Sequence, residues 1–232
     1  MKIEVVSDIH KRICRAAMRA DRDPADIKLI AVTKTVGIEA IKEAATLGLR
    51  FFGENRVQEA RDKIGEFASF ISEGGYSGIE WHLIGHLQLN KAKYAVRLFD
   101  LIHTVDSVEL AEELNRRAEQ AGKTQRVLVQ VKLSEESTKQ GVPEEGLLPL
   151  FEKLNSLACL KPEGLMAMPP FFDDPERARP YFRRLSELRD EAEQKGFHLP
   201  ELSMGMSGDF EAAILEGATM VRIGTALFGR RS

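Results

Sequence analysis

Leu202-Ser203-Met204-Gly205-Met206-Ser207-Gly208-Asp209-Phe210-Glu211-Ala212-Ala213-Ile214-Leu215-Glu216-Gly217, followed shortly by Val221-Arg222-Ile223-Gly224-Thr225, is the stretch from which the fold can be read. Residues 202–206 form one short apolar run and 221–223 a second. Between them Phe210, Ala213 and Ile214 recur at helical spacing, with Ser207 a good N-cap residue and Gly217 a good stop. Strand, helix, strand is the unit from which parallel sheets are wound.

The same unit recurs along the chain. Apolar runs at 29–33, 51–52, 81–84, 101–105, 127–133 and 165–168 join those at 202–206 and 221–223, giving eight predicted strands. Ile38, Ile41 and Ala45 keep helical spacing before Gly48, and Leu110, Leu114 and Ala118 do so before Gly122. An additional N-terminal helix is predicted from Val6, Ile9, Ile13, Ala17 and Ala20 on one face. No Pro-, Ser- or Gly-rich linker divides the 232 residues, and Ser72-Glu73-Gly74-Gly75-Tyr76-Ser77-Gly78 reads as a surface turn. Eight strand–helix units in one undivided chain predict a single domain over residues 1–232. It is an α/β fold, a (β/α)8 TIM barrel with an additional N-terminal helix. Neither a GxGxxG turn nor a GxxxxGK[ST] loop is present to support a dinucleotide or nucleotide fold.

Composition excludes several classes. Apolar residues make up 43% and charged residues 30%, the balance of a packed soluble chain rather than a disordered one. The formal charge of −3 gives no general electrostatic case for nucleic acid. No apolar run approaches the roughly 20 residues of a membrane span, and the polar start Met1-Lys2-Ile3-Glu4-Val5-Val6-Ser7-Asp8 does not read as a secretory signal. Cys14 and Cys159 form neither a disulfide framework nor a metal-binding pair. The expectation is a soluble cytoplasmic protein with reduced thiols.

In a (β/α)8 barrel the chemistry belongs at the carboxyl ends of the strands. The first strand runs into Lys34, and alternation puts Ile30, Val32 and Lys34 on one side. A lysine partly desolvated there is an amine suited to imine formation; the plainer reading sends it to solvent. On the eighth strand Arg222 faces away from Val221 and Ile223. Inside a barrel its guanidinium needs a partner, either a structural carboxylate or an acceptor on a ligand. Ser207-Gly208-Asp209 and Gly224-Thr225 follow strands seven and eight, where barrels commonly bind phosphate; simple capping and a tight turn are the alternatives. Strand two runs into the polar cluster Gly53-Glu54-Asn55-Arg56-Val57-Gln58-Glu59, which offers a binding group or a helix-capping loop. His82, His86 and His103 read as hydrogen-bonded structural residues, so no metal is expected. Met166, Met168, Met204 and Met206 read as core, and Arg177, Arg179, Arg183 and Arg184 as a solvated helix face.

Ala31-Val32-Thr33-Lys34, Gly53-Glu54-Asn55-Arg56-Val57-Gln58-Glu59, His82-Leu83-Ile84-Gly85, Ser203-Met204-Gly205-Met206-Ser207 and Val221-Arg222-Ile223-Gly224-Thr225 occur in this order. Together they resemble the pyridoxal phosphate homeostasis protein family, single-domain relatives of the alanine racemase N-terminal-domain barrel, from about residue 28 to residue 230. The resemblance implies pyridoxal 5′-phosphate (PLP) as cofactor, held by Lys34 as a covalent aldimine. It implies Arg222 facing the pyridine nitrogen, Ser207, Gly224 and Thr225 at the phosphate, and Asn55 near the ring.

An arginine donates to that nitrogen without readily protonating it, which leaves the ring a poor electron sink. Few residues follow Thr225, leaving no room for the second domain of alanine racemase, and Thr35-Val36-Gly37 lacks the racemase's tyrosine-bearing segment. The resemblance therefore implies a PLP-binding protein of intracellular vitamin B6 homeostasis more than an enzyme. Its expected partners are PLP and PLP-accepting apo-enzymes, with neither nucleic acid nor membrane, and it is expected to be a monomer. A PLP-dependent amino-acid racemase of narrow specificity and a cofactor-free Schiff-base aldolase are the alternative readings.

Overall fold

Strand and helix alternate throughout the computed structural model, which describes residues 3–134 and 140–229; Arg230, at the far end of the resemblance, lies outside them. The strands are β1 (Lys28–Val32), β2 (Phe51–Glu54), β3 (Glu80–Leu83), β4 (Leu101–Val105), β5 (Gln125–Gln130), β6 (Leu160–Met166), β7 (Glu201–Met206) and β8 (Met220–Ile223). All pairings are parallel and consecutive, and β8 closes on β1 with Ile30 opposite Arg222. The result is the expected eight-stranded (β/α)8 barrel. Its helices are α1 (Ile3–Arg19), α2 (Ile38–Thr46), α3 (Val57–Gly74), α4 (Ala92–Leu98), α5 (Val108–Gln120), α6 (Leu147–Asn155), α7 (Arg179–Glu193), α8 (Phe210–Leu215) and α9 (Thr225–Phe228).

Each predicted run falls on a strand, with some bounds displaced. The run at 127–133 leaves the ladder after Gln130, and β6 begins earlier than its apolar run because Pro162 and Glu163 interrupt the pattern. The β5–β6 register shifts there: Val127 pairs with Pro162 and Leu128 with Gly164, so Glu163 is the extra residue of a bulge. Helix α1 buries Val6, Ile9, Ile13, Ala16 and Ala17 and packs against α8 and α9, whereas Ala20 lies just beyond its end. The expected turn at Ser72 is corrected. Helix α3 continues through Gly74 and ends on Gly75 in the left-handed conformation, the position at which helices commonly stop.

Period-two alternation divides the apolar residues into two shells. Leu29, Ala31, Leu83, Val127, Leu202 and Val221 face outward into the large core shared with the helices. Their neighbours Ile30, Leu101, Leu128, Met166 and Met220 meet as a small separate cluster inside the barrel, with Phe51 against it. The arginines before and along α7 are only partly a solvated face. Arg179 and Arg183 both pair with Glu216, Arg184 reaches Glu144, and Arg177 lies over the Phe172 ring.

Charged side chains close the amino-terminal mouth of the barrel. Arg126 bonds both Glu80 and Glu163 at 2.8 Å, and Lys28 pairs with Glu201. The hydrogen bond with His82, reinforced by Arg126, holds the Glu80 carboxyl at about 2, below its ordinary 4.5. A carboxyl depressed on folding stabilises fully above its unfolded pKa and loses that contribution as pH falls toward its folded pKa. We expect Glu80 to withdraw roughly 2–3 kcal/mol of stability as pH drops from about 4.5 to about 2. Urea midpoints measured across this interval will fall more steeply for the wild type than for Glu80→Gln; equal slopes would refute the expectation.

Candidate functional site

At the opposite, carboxyl-terminal mouth the strand ends surround a cleft of about 410 Å³. That volume suits a small molecule, whose sites span about 300–1,000 Å³. Lys34, Asn55, Ser207, Arg222, Gly224 and Thr225 all line it, so the six residues singled out in the sequence come together in space. Val32 and Lys34 face the same cleft, as alternation along β1 requires.

Lys34 is half-buried in the turn that follows β1, and this turn is clamped from below. Lys63 of α3 donates to Thr33 O at 2.6 Å, Glu54 Oε1 at 2.8 Å and Glu59 Oε1 at 2.6 Å. Glu59 in turn accepts from the Thr35 N–H at 2.5 Å, and Glu54 from the Thr33 hydroxyl at 2.6 Å. These bonds hold Thr35 at φ 62°, a left-handed conformation uncommon for a residue other than glycine. Burial raises the Glu54 carboxyl above its usual range although Lys63 opposes the shift.

Arg222 stands inside the barrel with its guanidinium almost wholly buried. Nη1 donates to Ser203 Oγ at 2.6 Å and Nη2 to the Ala167 carbonyl at 2.9 Å. Among the described residues no carboxylate forms an ion pair with it, so the structural-carboxylate reading gives way to neutral partners. Burial pushes the guanidinium down to about 10, with Asp209 opposing, which leaves it protonated at neutral pH.

Ser207 does not cap α8, contrary to expectation. Asp209 takes the N-cap position and turns its carboxylate back to the Met206 N–H at 2.6 Å. Ser207 Oγ reaches instead across to the N–H groups of Gly224 and Ala226, each at 3.3 Å. Ser207 Oγ therefore accepts from both main-chain groups and keeps its own hydroxyl hydrogen to offer an anion at this wall of the cleft.

Asn55 sits at the end of β2 against the loop that follows β3. A Cβ at Gly85 would lie 2.3 Å from the Asn55 carbonyl oxygen, so only glycine permits this approach. Gly85→Ala is expected to cost about 1–3 kcal/mol, seen as a lower urea midpoint, and to weaken ligand binding through displaced Asn55. Unchanged stability and binding would show that the loop yields freely.

Sequence reasoning missed part of the lining. Ile84, His86, Phe171 and Phe172 border the cleft, and Phe171 is 84% exposed at its mouth. Met168 and Met206 also border it rather than joining the core, whereas Met166 and Met204 are fully buried. The missed signal is positional, since each of these residues follows or ends a strand. The histidines also separate. His82 and His103 are buried hydrogen-bond partners of each other, and His86 is exposed at the cleft.

Comparison with known proteins agrees with this geometry. Residues 9–232 match the family model "Alanine racemase, N-terminal domain". A pyridoxal phosphate homeostasis protein of Aquifex aeolicus is 46% identical over 229 residues, covering 98% of this chain and 97% of that relative. One from Escherichia coli is 40% identical over 226 residues, covering 97% and 95%. PipY of Synechococcus elongatus, whose structure was solved with PLP bound, superposes with a TM-score of 0.82 at 39% identity, covering 95% of this chain and all of that one. With likeness of this extent along both chains, the barrel belongs to the alanine racemase N-terminal-domain family, and within it to the pyridoxal phosphate homeostasis proteins.

Proposed function

We propose that this protein binds PLP, covalently at the Lys34 amine, and serves PLP homeostasis. The observation that carries the proposal is the convergence of Lys34, Arg222 and the Ser207–Gly224 wall on one cleft of about 410 Å³. The donor set fits the cofactor at each of its ends. Ser207, Gly224 and Thr225 would hold the phosphate, Arg222 would donate to the ring nitrogen, and Asn55 would lie near the ring.

When bound, PLP supplies an aldehyde for an amine to capture and a ring able to delocalise charge. Lys34 positions the capturing amine on its clamped turn. Arg222, protonated at neutral pH, supplies a hydrogen bond to the ring nitrogen while keeping its own proton. A ring held in this way is a weak electron sink, which favours holding and releasing the cofactor over demanding carbanion chemistry.

Within the same proposal the protein is a cytoplasmic monomer that gives PLP up to apo-enzymes. Among the described residues no helix is long and apolar enough to cross a membrane. Sedimentation at low micromolar concentration should give a single species near the chain mass; a dimer there would overturn the monomer.

The deciding experiment is visible absorption of the purified protein before and after borohydride reduction, followed by peptide mass mapping. The expected result is a visible band that reduction fixes onto Lys34. No band even with added PLP would overturn the proposal and favour the cofactor-free aldolase.

A further inference from the structure

The barrel interior carries a continuous chain of hydrogen bonds from the cleft to the opposite mouth. Arg222 Nη1 lies 2.6 Å from Ser203 Oγ, and Ser203 Oγ lies 2.9 Å from His103 Nδ1. His103 Nε2 is then 3.0 Å from His82 Nδ1, and His82 Nε2 is 3.2 Å from Glu80 Oε2. Five residues from β8, β7, β4 and β3 are thus joined by four bonds. His82, His103, Ser203 and Arg222 are all nearly or fully buried.

Both ends of the chain dictate the same direction. A guanidinium has no acceptor, so Arg222 must donate to Ser203. An ionised carboxylate has no donor, so Glu80 must accept from His82 Nε2–H. Burial keeps both imidazoles neutral, each with one N–H and one lone pair. His82 Nδ1 is therefore an acceptor, His103 Nε2–H donates to it, and His103 Nδ1 receives the Ser203 hydroxyl hydrogen. A reversed chain would need a protonated Glu80, which the Arg126 guanidinium at 2.8 Å opposes. Bonds aligned in one sense polarise one another, so the distant carboxylate makes Ser203 Oγ a stronger acceptor for Arg222.

Barrel interiors are usually filled by branched apolar side chains, and this line of polar groups replaces them along one path. We propose that Ser203, His103, His82 and Glu80 are positioning residues, a one-way hydrogen-bond chain that sets the Arg222 guanidinium against the PLP ring. This rests on the PLP reading of the cleft. Glu80 consequently affects the ring contact without touching the ligand.

Two measurements test it. Side-chain nitrogen NMR of the wild-type protein free of PLP should show His82 and His103 both protonated at Nε2 and bare at Nδ1. A proton on either Nδ1 overturns the direction and the proposal. PLP titrations followed by the visible band should then give a dissociation constant about three- to ten-fold weaker for Glu80→Gln, with a displaced band and attachment still at Lys34. In a His103→Phe background, where the chain is cut, Glu80→Gln should add nothing; Ser203→Ala is the smaller cut if His103→Phe fails to fold. An unchanged constant in Glu80→Gln, or its full effect persisting in the cut background, refutes the proposal. Absence of a band in the wild type removes the cofactor reading and the positioning role with it, while the NMR result separately judges the chain.

Discussion

Lys34→Ala should abolish every borohydride-fixable adduct and the visible band that accompanies it. Imine formation requires an unprotonated amine held within reach of the aldehyde. Lys63 is a poor substitute because its amine is already held by hydrogen bonds to Thr33 O, Glu54 and Glu59. The donors at Ser207, Gly224 and Arg222 are untouched by the substitution. Reversible binding should therefore persist, weakened by about 100-fold or more, which corresponds to roughly 2.7 kcal/mol. Equilibrium dialysis with PLP would measure that residue of affinity, and mass mapping would detect any adduct. A reduced adduct on another lysine would show that Lys34 is not the attachment point.

Lys63→Met should produce the largest loss of stability. The Lys63 side chain is 12% exposed and its partner Glu54 is fully buried. Removing one member of such a pair strands the other, at a cost of about 3–5 kcal/mol. For a chain of this size that lowers the melting temperature by roughly 6–20 °C. The Glu54 carboxyl, already raised by burial, loses its only cationic hydrogen-bond partner among the described residues and is driven further toward its neutral form. Adding Glu54→Gln to Lys63→Met should recover part of the loss, because the buried charge is then gone. A melting temperature within 2–3 °C of wild type, on the order of 1 kcal/mol, would mean that the clamp contributes little. The same substitution frees the turn that carries Lys34, so covalent capture of PLP should also slow.

How much of this was legible in the sequence depended on how local the signal was. The eight strands were readable because each is a short apolar run, and helix ends at Gly48, Gly122 and Gly217 because a stop residue sits beside its helix. Arg222 facing inward, opposite to Val221 and Ile223, followed from alternation alone. Of the two readings of Ser207 only the cap fails, because a serine before a helix is indistinguishable in sequence from a cap, and only the fold brings Gly224 and Ala226 to it. Met168 and Met206 share a period with the core methionines, yet the strands end before their side chains are covered. Neither the Lys63 clamp nor the histidine chain was visible, since Thr33 and Lys63, or His103 and Ser203, are joined only when separate units pack. Assigning six residues to one cofactor drew on family resemblance; physical reasoning from the sequence reached Lys34 and Arg222 as open alternatives.

The closure of β8 upon β1 has a consequence during synthesis. Lys34 follows the first strand, whereas Ser207 and Arg222 belong to the last two, and Lys28 pairs with Met220 across almost the whole chain. Contacts so distant in sequence are the slowest to form. A growing polypeptide therefore carries Lys34 long before it carries Arg222 and the Ser207–Gly224 wall of the cleft. On a ribosome the half-made barrel cannot sequester PLP with the affinity of the finished one, and capture begins only when the final strand has emerged and locked against the first.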